Sequence, residues 1–161
     1  MLRREFLQRG GVAAAVAMTP GCLCSCTAAD AGTGAREIAS EAMQLDGYSL
    51  TIDLGKAAYL RSAGNSGKAD FDLPDGQKLR LLVICDETSG YLAYENRCTH
   101  GGMRLTYKAD YKGEGPLLRC NSFGHSRFGL NGTVMKGPAN DDLVVFAVHQ
   151  NGDLIEIDLR G

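Results

Sequence analysis

The chain has 161 residues, one domain's worth of length, with no room for two full-sized domains. Its 44% hydrophobic and 22% charged residues exclude a wholly disordered polypeptide. With 17 Lys and Arg against 19 Asp and Glu, the net charge is -2, which argues against nucleic acid as a partner because no cation surplus exists to neutralise phosphates.

Residues 1–9 read M-L-R-R-E-F-L-Q-R, a basic start with paired Arg3 and Arg4 ahead of Phe6 and Leu7. Nine small or apolar residues follow at 10–18, far short of the ~20 needed to span a bilayer. This pattern suits the apolar core of an export signal. Arg-Arg-x-Phe-Leu before a Gly/Ala-rich stretch resembles a twin-arginine signal, the route of proteins exported already folded. Cys22, Cys24 and Cys26 come next. Leu23-Cys24-Ser25-Cys26 resembles a bacterial lipobox, with Gly21-Cys22 as a weaker candidate, while Ala29-Asp30-Ala31 offers a cleavage site of the soluble kind. Lipid anchoring through Cys26 or Cys22 and soluble release both stay open. We assign residues 1–26 to the signal, of lipoprotein or soluble type, and residues 27–47, rich in Ala, Gly and Asp, to a flexible tether.

From residue 48 onward the pattern turns to short apolar runs of period two, broken by Gly, Asn and Asp. The 21 glycines suit a chain of many tight turns. Residues 48–54 alternate, and 78–85 (K-L-R-L-L-V-I-C) form an apolar, β-branched run. A turn at 86–90 leads to a partner strand at 91–94. Asn131-Gly132 and Asn151-Gly152 are two-residue hairpin signals, the second joining strands at 143–148 and 154–159. The expectation is an antiparallel, all-β domain over residues 48–161.

Between these strands lie Arg97-Cys98-Thr99-His100-Gly101-Gly102-Met103 and Arg119-Cys120-Asn121-Ser122-Phe123-Gly124-His125-Ser126-Arg127-Phe128. Each segment holds one Cys and one His, with 19 residues between His100 and Cys120. Thiolates and imidazoles in a two-plus-two set are transition-metal ligands, and the glycines beside them let the backbone approach closely. The residues alone leave two readings open: a structural Cys2His2 zinc site in a binding module, or an iron–sulfur centre of mixed ligation.

Cys98-x-His100-x-Gly102, the second Cys/His loop, Ser126-Arg127-Phe128, Leu130-Asn131-Gly132 and Gly137-Pro138-Ala139 together resemble a Rieske [2Fe-2S] protein. That resemblance implies stacked small antiparallel sheets with a cluster-binding loop subdomain. It also implies a [2Fe-2S] cluster with Cys98 and Cys120 on one iron and His100 and His125 on the other. Three features depart from the family. Four residues separate Cys120 from His125 where two are usual, and Phe123 takes the usual histidine place. Met103 and Ser122 stand where quinol-oxidising members carry a bracing disulfide. Phe128 stands where those members often have a Tyr whose hydroxyl reaches a cluster sulfur, and its absence lowers the expected potential. A potential at the top of the family's span would mean that another donor compensates, Ser126 being the obvious one.

Cys85 reads as a buried thiol without chemistry, and His149 as a surface side chain beside a turn. No P-loop, Gly-x-Ser-x-Gly elbow or mononuclear-iron triad is found in the sequence. The expected function is therefore electron transfer, by a component of an oxidoreductase rather than a stand-alone enzyme. It is read as exported to the periplasm or cell envelope, as a carrier or as the iron–sulfur subunit of a quinol–cytochrome c reductase-like or arsenite oxidase-like complex. Expected partners are redox proteins: a cytochrome, or a quinol- or molybdopterin-containing subunit.

Overall fold

The computed structural model describes residues 34–161. The proposed signal, with Arg3, Arg4, Cys22, Cys24 and Cys26, lies outside the described residues. The strands are β1 (Arg36–Glu37), β2 (Met43–Asp46), β3 (Ser49–Asp53), β4 (Ser66–Asp72), β5 (Lys78–Asp86), β6 (Gly90–Glu95), β7 (Leu105–Lys108), β8 (Leu117–Cys120), β9 (Arg127–Phe128), β10 (Val134–Lys136), β11 (Val145–Asn151) and β12 (Leu154–Asp158). An eight-stranded sheet runs β1-β4-β5-β6-β11-β12-β3-β2, and a four-stranded sheet runs β10-β9-β8-β7. Every pairing is antiparallel except β1 with β4. The all-β fold expected from the sequence is the fold observed, and no helix among the described residues is long and apolar enough to cross a membrane.

The central strand β5 explains how the two sheets meet. Successive side chains of a strand point to opposite faces. Leu79, Leu81 and Val83 enter a core with Leu50, Ile52, Leu60, Ile155 and Ile157. Leu82 and Ile84 enter a second core with Cys98, Leu105, Leu118, Cys120 and Phe128. β6 repeats the division, with Ala93 in the first core and Tyr94 in the second. The apolar run at 78–85 is thus a wall shared by two cores, and the small sheet carrying the Cys/His loops is held against it. The Tyr94 hydroxyl donates to the Leu130 carbonyl, pinning the loop after β9 to that wall.

Three expectations are corrected. Residues 34–46, expected as tether, belong to the fold: Ala35, Ile38 and Ala42 are buried, β1 pairs with β4, and β2 pairs with β3. Gly67 of β4 makes this possible, since a Cβ there would lie 2.8 Å from both Ile38 Cγ1 and the Tyr59 hydroxyl. The second hairpin turns one residue later than expected. Asn151 pairs with Leu154, so Gly152 and Asp153 form the turn, and only Gly152 has positive φ (59°). One positive φ, at the first turn position, is the II′ pattern rather than the Asn-Gly I′ pattern. The Asn131-Gly132 connection is also longer than two residues, because Val134 pairs with Phe128.

Candidate metal centre

The first loop leaves β6 at Glu95 and returns as β7. Within it the Cys98 N–H donates to the Met103 carbonyl and the Gly102 N–H to the Cys98 carbonyl, both at 2.8 Å, with Gly102 at φ 68°. Glycine takes that left-handed backbone at little cost. Arg80 donates to the Gly102 carbonyl at 3.1 Å, and Thr99 Oγ1 donates to the Asp141 carbonyl at 2.6 Å, which ties the loop to the segment before β11.

The second loop joins β8 to β9. The Cys120 N–H donates to the Ser126 carbonyl at 2.8 Å, and the His125 N–H donates to the Ser122 carbonyl at 3.1 Å. His125 itself has φ 47°. Non-glycine residues are uncommon in that region. The Asn121 N–H donates to the Arg104 carbonyl at 3.1 Å, joining the two loops directly. Gly124 packs on Pro138, where a Cβ would come within 2.6 Å of the ring. The Ala139 N–H donates to Ser126 Oγ at 3.0 Å. The loop's outer turn is therefore clamped by the Gly137-Pro138-Ala139 segment.

These frames bring two sulfurs together. Cys98 (1% exposed) and Cys120 (0%) are buried, both thiols are free, and the Cys98 thiol donates to the Cys120 sulfur. Burial pushes the Cys98 thiol up, and the neighbouring sulfur adds to this. The His100 and Gly101 N–H groups aim at the same sulfur and act in the opposite direction, favouring thiolate. Ser122 presents both its N–H, at 3.4 Å, and its hydroxyl oxygen, at 3.1 Å, to the Cys120 sulfur.

The histidines stand apart from this pair. His100 and His125 are exposed, and no three His, Cys, Asp or Glu side chains gather about one point among the described residues. His149 lies on β11 opposite Glu156, in the large sheet. Phe123 is fully exposed at the tip of the second loop. The donor set fits a two-iron cluster: a buried thiol pair meets one iron's needs, and imidazoles outside it are available to a second iron.

Sequence reasoning passed over two residues here. Asn96, fully buried, accepts the Leu105 N–H at 2.8 Å through Oδ1 and so closes the base of the first loop. Its place two residues before Cys98, at the end of an apolar strand, was the available signal. Ser122, which stands where a bracing disulfide would place a cysteine, faces the Cys120 sulfur instead, while Ser126 Oγ accepts the Ala139 N–H.

Comparison with known proteins gives the family. Residues 51–147 match the Rieske [2Fe-2S] domain, and the chain belongs to that family. A Rieske domain binds a [2Fe-2S] cluster and transfers electrons through it, which takes the place of the zinc alternative. No curated protein matches the chain. Among solved structures, the plasma membrane Rieske protein PetC3 of the cyanobacterium Synechocystis PCC 6803 is 28% identical, over 56% of this chain and 85% of that one, with a TM-score of 0.43. The ferredoxin of carbazole 1,9a-dioxygenase from Nocardioides aromaticivorans IC177 is 18% identical over 58% and 85%, with a TM-score of 0.45. A chain of the complex of reduced oxygenase and oxidized ferredoxin in carbazole 1,9a-dioxygenase is 19% identical over 70% and 94%, with a TM-score of 0.50, a likeness of fold.

Proposed function

We propose that this chain is an exported electron-transfer protein in which Cys98 and Cys120 hold one iron and His100 and His125 the other. The observation that carries this reading is the meeting of two buried thiols from separate loops, with both loop histidines on the exposed side. When bound, the cluster supplies a one-electron site. The protein's part is to keep water and reactive partners from the sulfurs and to leave the imidazole side open. Backbone N–H groups, and the Ser122 hydroxyl once Cys120 is a thiolate and the hydroxyl turns to donate, would stabilise the negative charge on the cysteine sulfurs.

The paired Arg3 and Arg4 support export by a twin-arginine route, which suits a protein whose cluster must be inserted before the fold crosses a membrane. We place the mature protein in the periplasm or cell envelope, released there or lipid-anchored through Cys26 or Cys22. It serves as a carrier or as the iron–sulfur subunit of a respiratory oxidoreductase. Its expected partners are a cytochrome, or a quinol- or molybdopterin-containing subunit. The domain boundaries become a leader before residue 34 and a Rieske domain from residue 34 onward, since β1 and β2 pack into it.

The direct test is metal and sulfide analysis of the purified full chain with reduced-state EPR. Equal iron and acid-labile sulfide, two of each per chain, with a rhombic signal of low average g supports the reading. A colourless protein holding one zinc overturns it.

A further inference from the structure

We propose that Lys112, Arg127 and Lys136, gathered around His125, form a dock for the acidic surface of a redox partner protein. The proposal deepens the electron-carrier reading and rests on it. A cleft of about 310 Å³ is lined by Tyr111, Lys112 and Glu114 of the loop between β7 and β8, by Gly124, His125 and Arg127, and by Lys136 at the end of β10. It therefore opens beside the imidazole proposed as an iron ligand.

The charge balance in this cleft differs from that of the whole domain. Arg127 is occupied by Glu114 at 2.6 Å, and Asp110 in the same loop accepts the N–H groups of Gly113 and Gly115. Lys112 and Lys136 are exposed and have no carboxylate partner among the described residues. Three cations, Lys112, Arg119 and Arg127, lie 5.4 to 5.9 Å from the centre of the Tyr111 ring, which fixes their heads on this side. Yet residues 34–161 carry 14 Lys and Arg against 17 Asp and Glu. A cationic patch on a net-negative body gives a direction of approach to an acidic partner.

Two further observations favour a protein over a small anion. The only described non-glycine residues with positive φ are Lys112 (58°) and His125 (47°), and both line this cleft. Such conformations cost energy and cluster where a surface does work. The fully exposed Phe123 projects from the same loop as His125. An aromatic side chain without cover beside a ring of cations suits an interface with an apolar centre and a charged rim. The lysine heads are open to solvent rather than buried around a small ion.

The test uses the full-length holoprotein and its double variant Lys112→Glu/Lys136→Glu, neither position being a proposed ligand. Poly-L-glutamate is titrated against both proteins at low and high salt. The native protein is expected to bind it in a salt-sensitive way, and the variant at least about tenfold more weakly. In stopped flow, one electron passes from the reduced protein to hexacyanoferrate(III), giving hexacyanoferrate(II). That rate should fall by about tenfold in the variant, while oxidation by the cationic hexaammineruthenium(III) should rise. Equal binding of poly-L-glutamate by the two proteins overturns the dock. So does binding of phosphatidylglycerol vesicles without binding of poly-L-glutamate, which assigns the cations to a membrane. Loss of the [2Fe-2S] spectrum in the native protein sinks the electron-carrier reading instead, and the poly-L-glutamate titration still decides the dock.

Discussion

The hydroxyl oxygen of Ser122 lies 3.1 Å from the Cys120 sulfur, and the same residue's N–H faces that sulfur at 3.4 Å. With Cys120 bound to iron as a thiolate, the hydroxyl becomes the donor. Hydrogen bonds to cluster sulfurs stabilise the reduced state and raise the potential. Ser122→Ala should therefore lower the midpoint potential by about 20–60 mV, from a hydrogen bond of ~0.5–1.5 kcal/mol and 59 mV per tenfold for one electron. Protein-film voltammetry reads this directly. An unchanged midpoint would mean that the contact is lost when iron binds. The native value is expected in the lower or middle part of the span of about −150 to +300 mV, because Phe128 brings no hydroxyl.

The fourth ligand is tested by contrast. His125 shares a loop with Cys120, whereas His149 sits on β11 in the other sheet, paired with Glu156. We expect His125→Ala to abolish the [2Fe-2S] absorption and EPR signals, and His149→Ala to retain both at native intensity. An intact cluster in His125→Ala would show that the wider Cys-x4-His spacing has moved ligation elsewhere.

Ile38 is 2% exposed and lies in the larger core although it stands outside the apolar strand pattern. Ile38→Ala should destabilise the domain by about 2–4 kcal/mol through lost transfer energy and a residual cavity. Urea denaturation with an unchanged m-value would confirm this, and a loss below ~0.5 kcal/mol would mean that the 34–42 segment detaches at little cost.

Export is tested in the cell. Replacing Arg3 and Arg4 together with Lys should leave the cluster-bearing protein in the cytoplasm, as read by fractionation and immunoblot. Normal arrival of the double variant in the envelope would assign transport to another route.

The Cys/His loops were legible in the sequence because their chemistry is local: two short segments hold both candidate ligand pairs, with glycines where the backbone must turn. Strands β5 and β6 were legible as an apolar run and its partner, but that they form a wall between two cores was not. What stayed hidden depends on distant partners. Ala35 and Ile38 carry no periodic pattern, and the burial of Ile38 uses the room left by Gly67 on β4. Ser122 reads in the sequence only as the place of an absent disulfide cysteine, and its contact with the Cys120 sulfur needs the fold. The cleft at His125 draws cations from β9, the end of β10 and the loop between β7 and β8, which no single window of sequence displays.

The first described residues also decide how the domain can be leashed. Gly34 lies 4.0 Å from Thr106 of the small sheet, measured from where its Cβ would stand. Ala35 is buried with Cys98 and Cys120, and Ile38 is buried in the opposite core. The chain thus crosses the seam between the two cores in its first few described residues and is sewn to β4 on the way. A pull applied at Gly34 is therefore taken up by the seam itself, on the flank of the sheet that carries the two Cys/His loops.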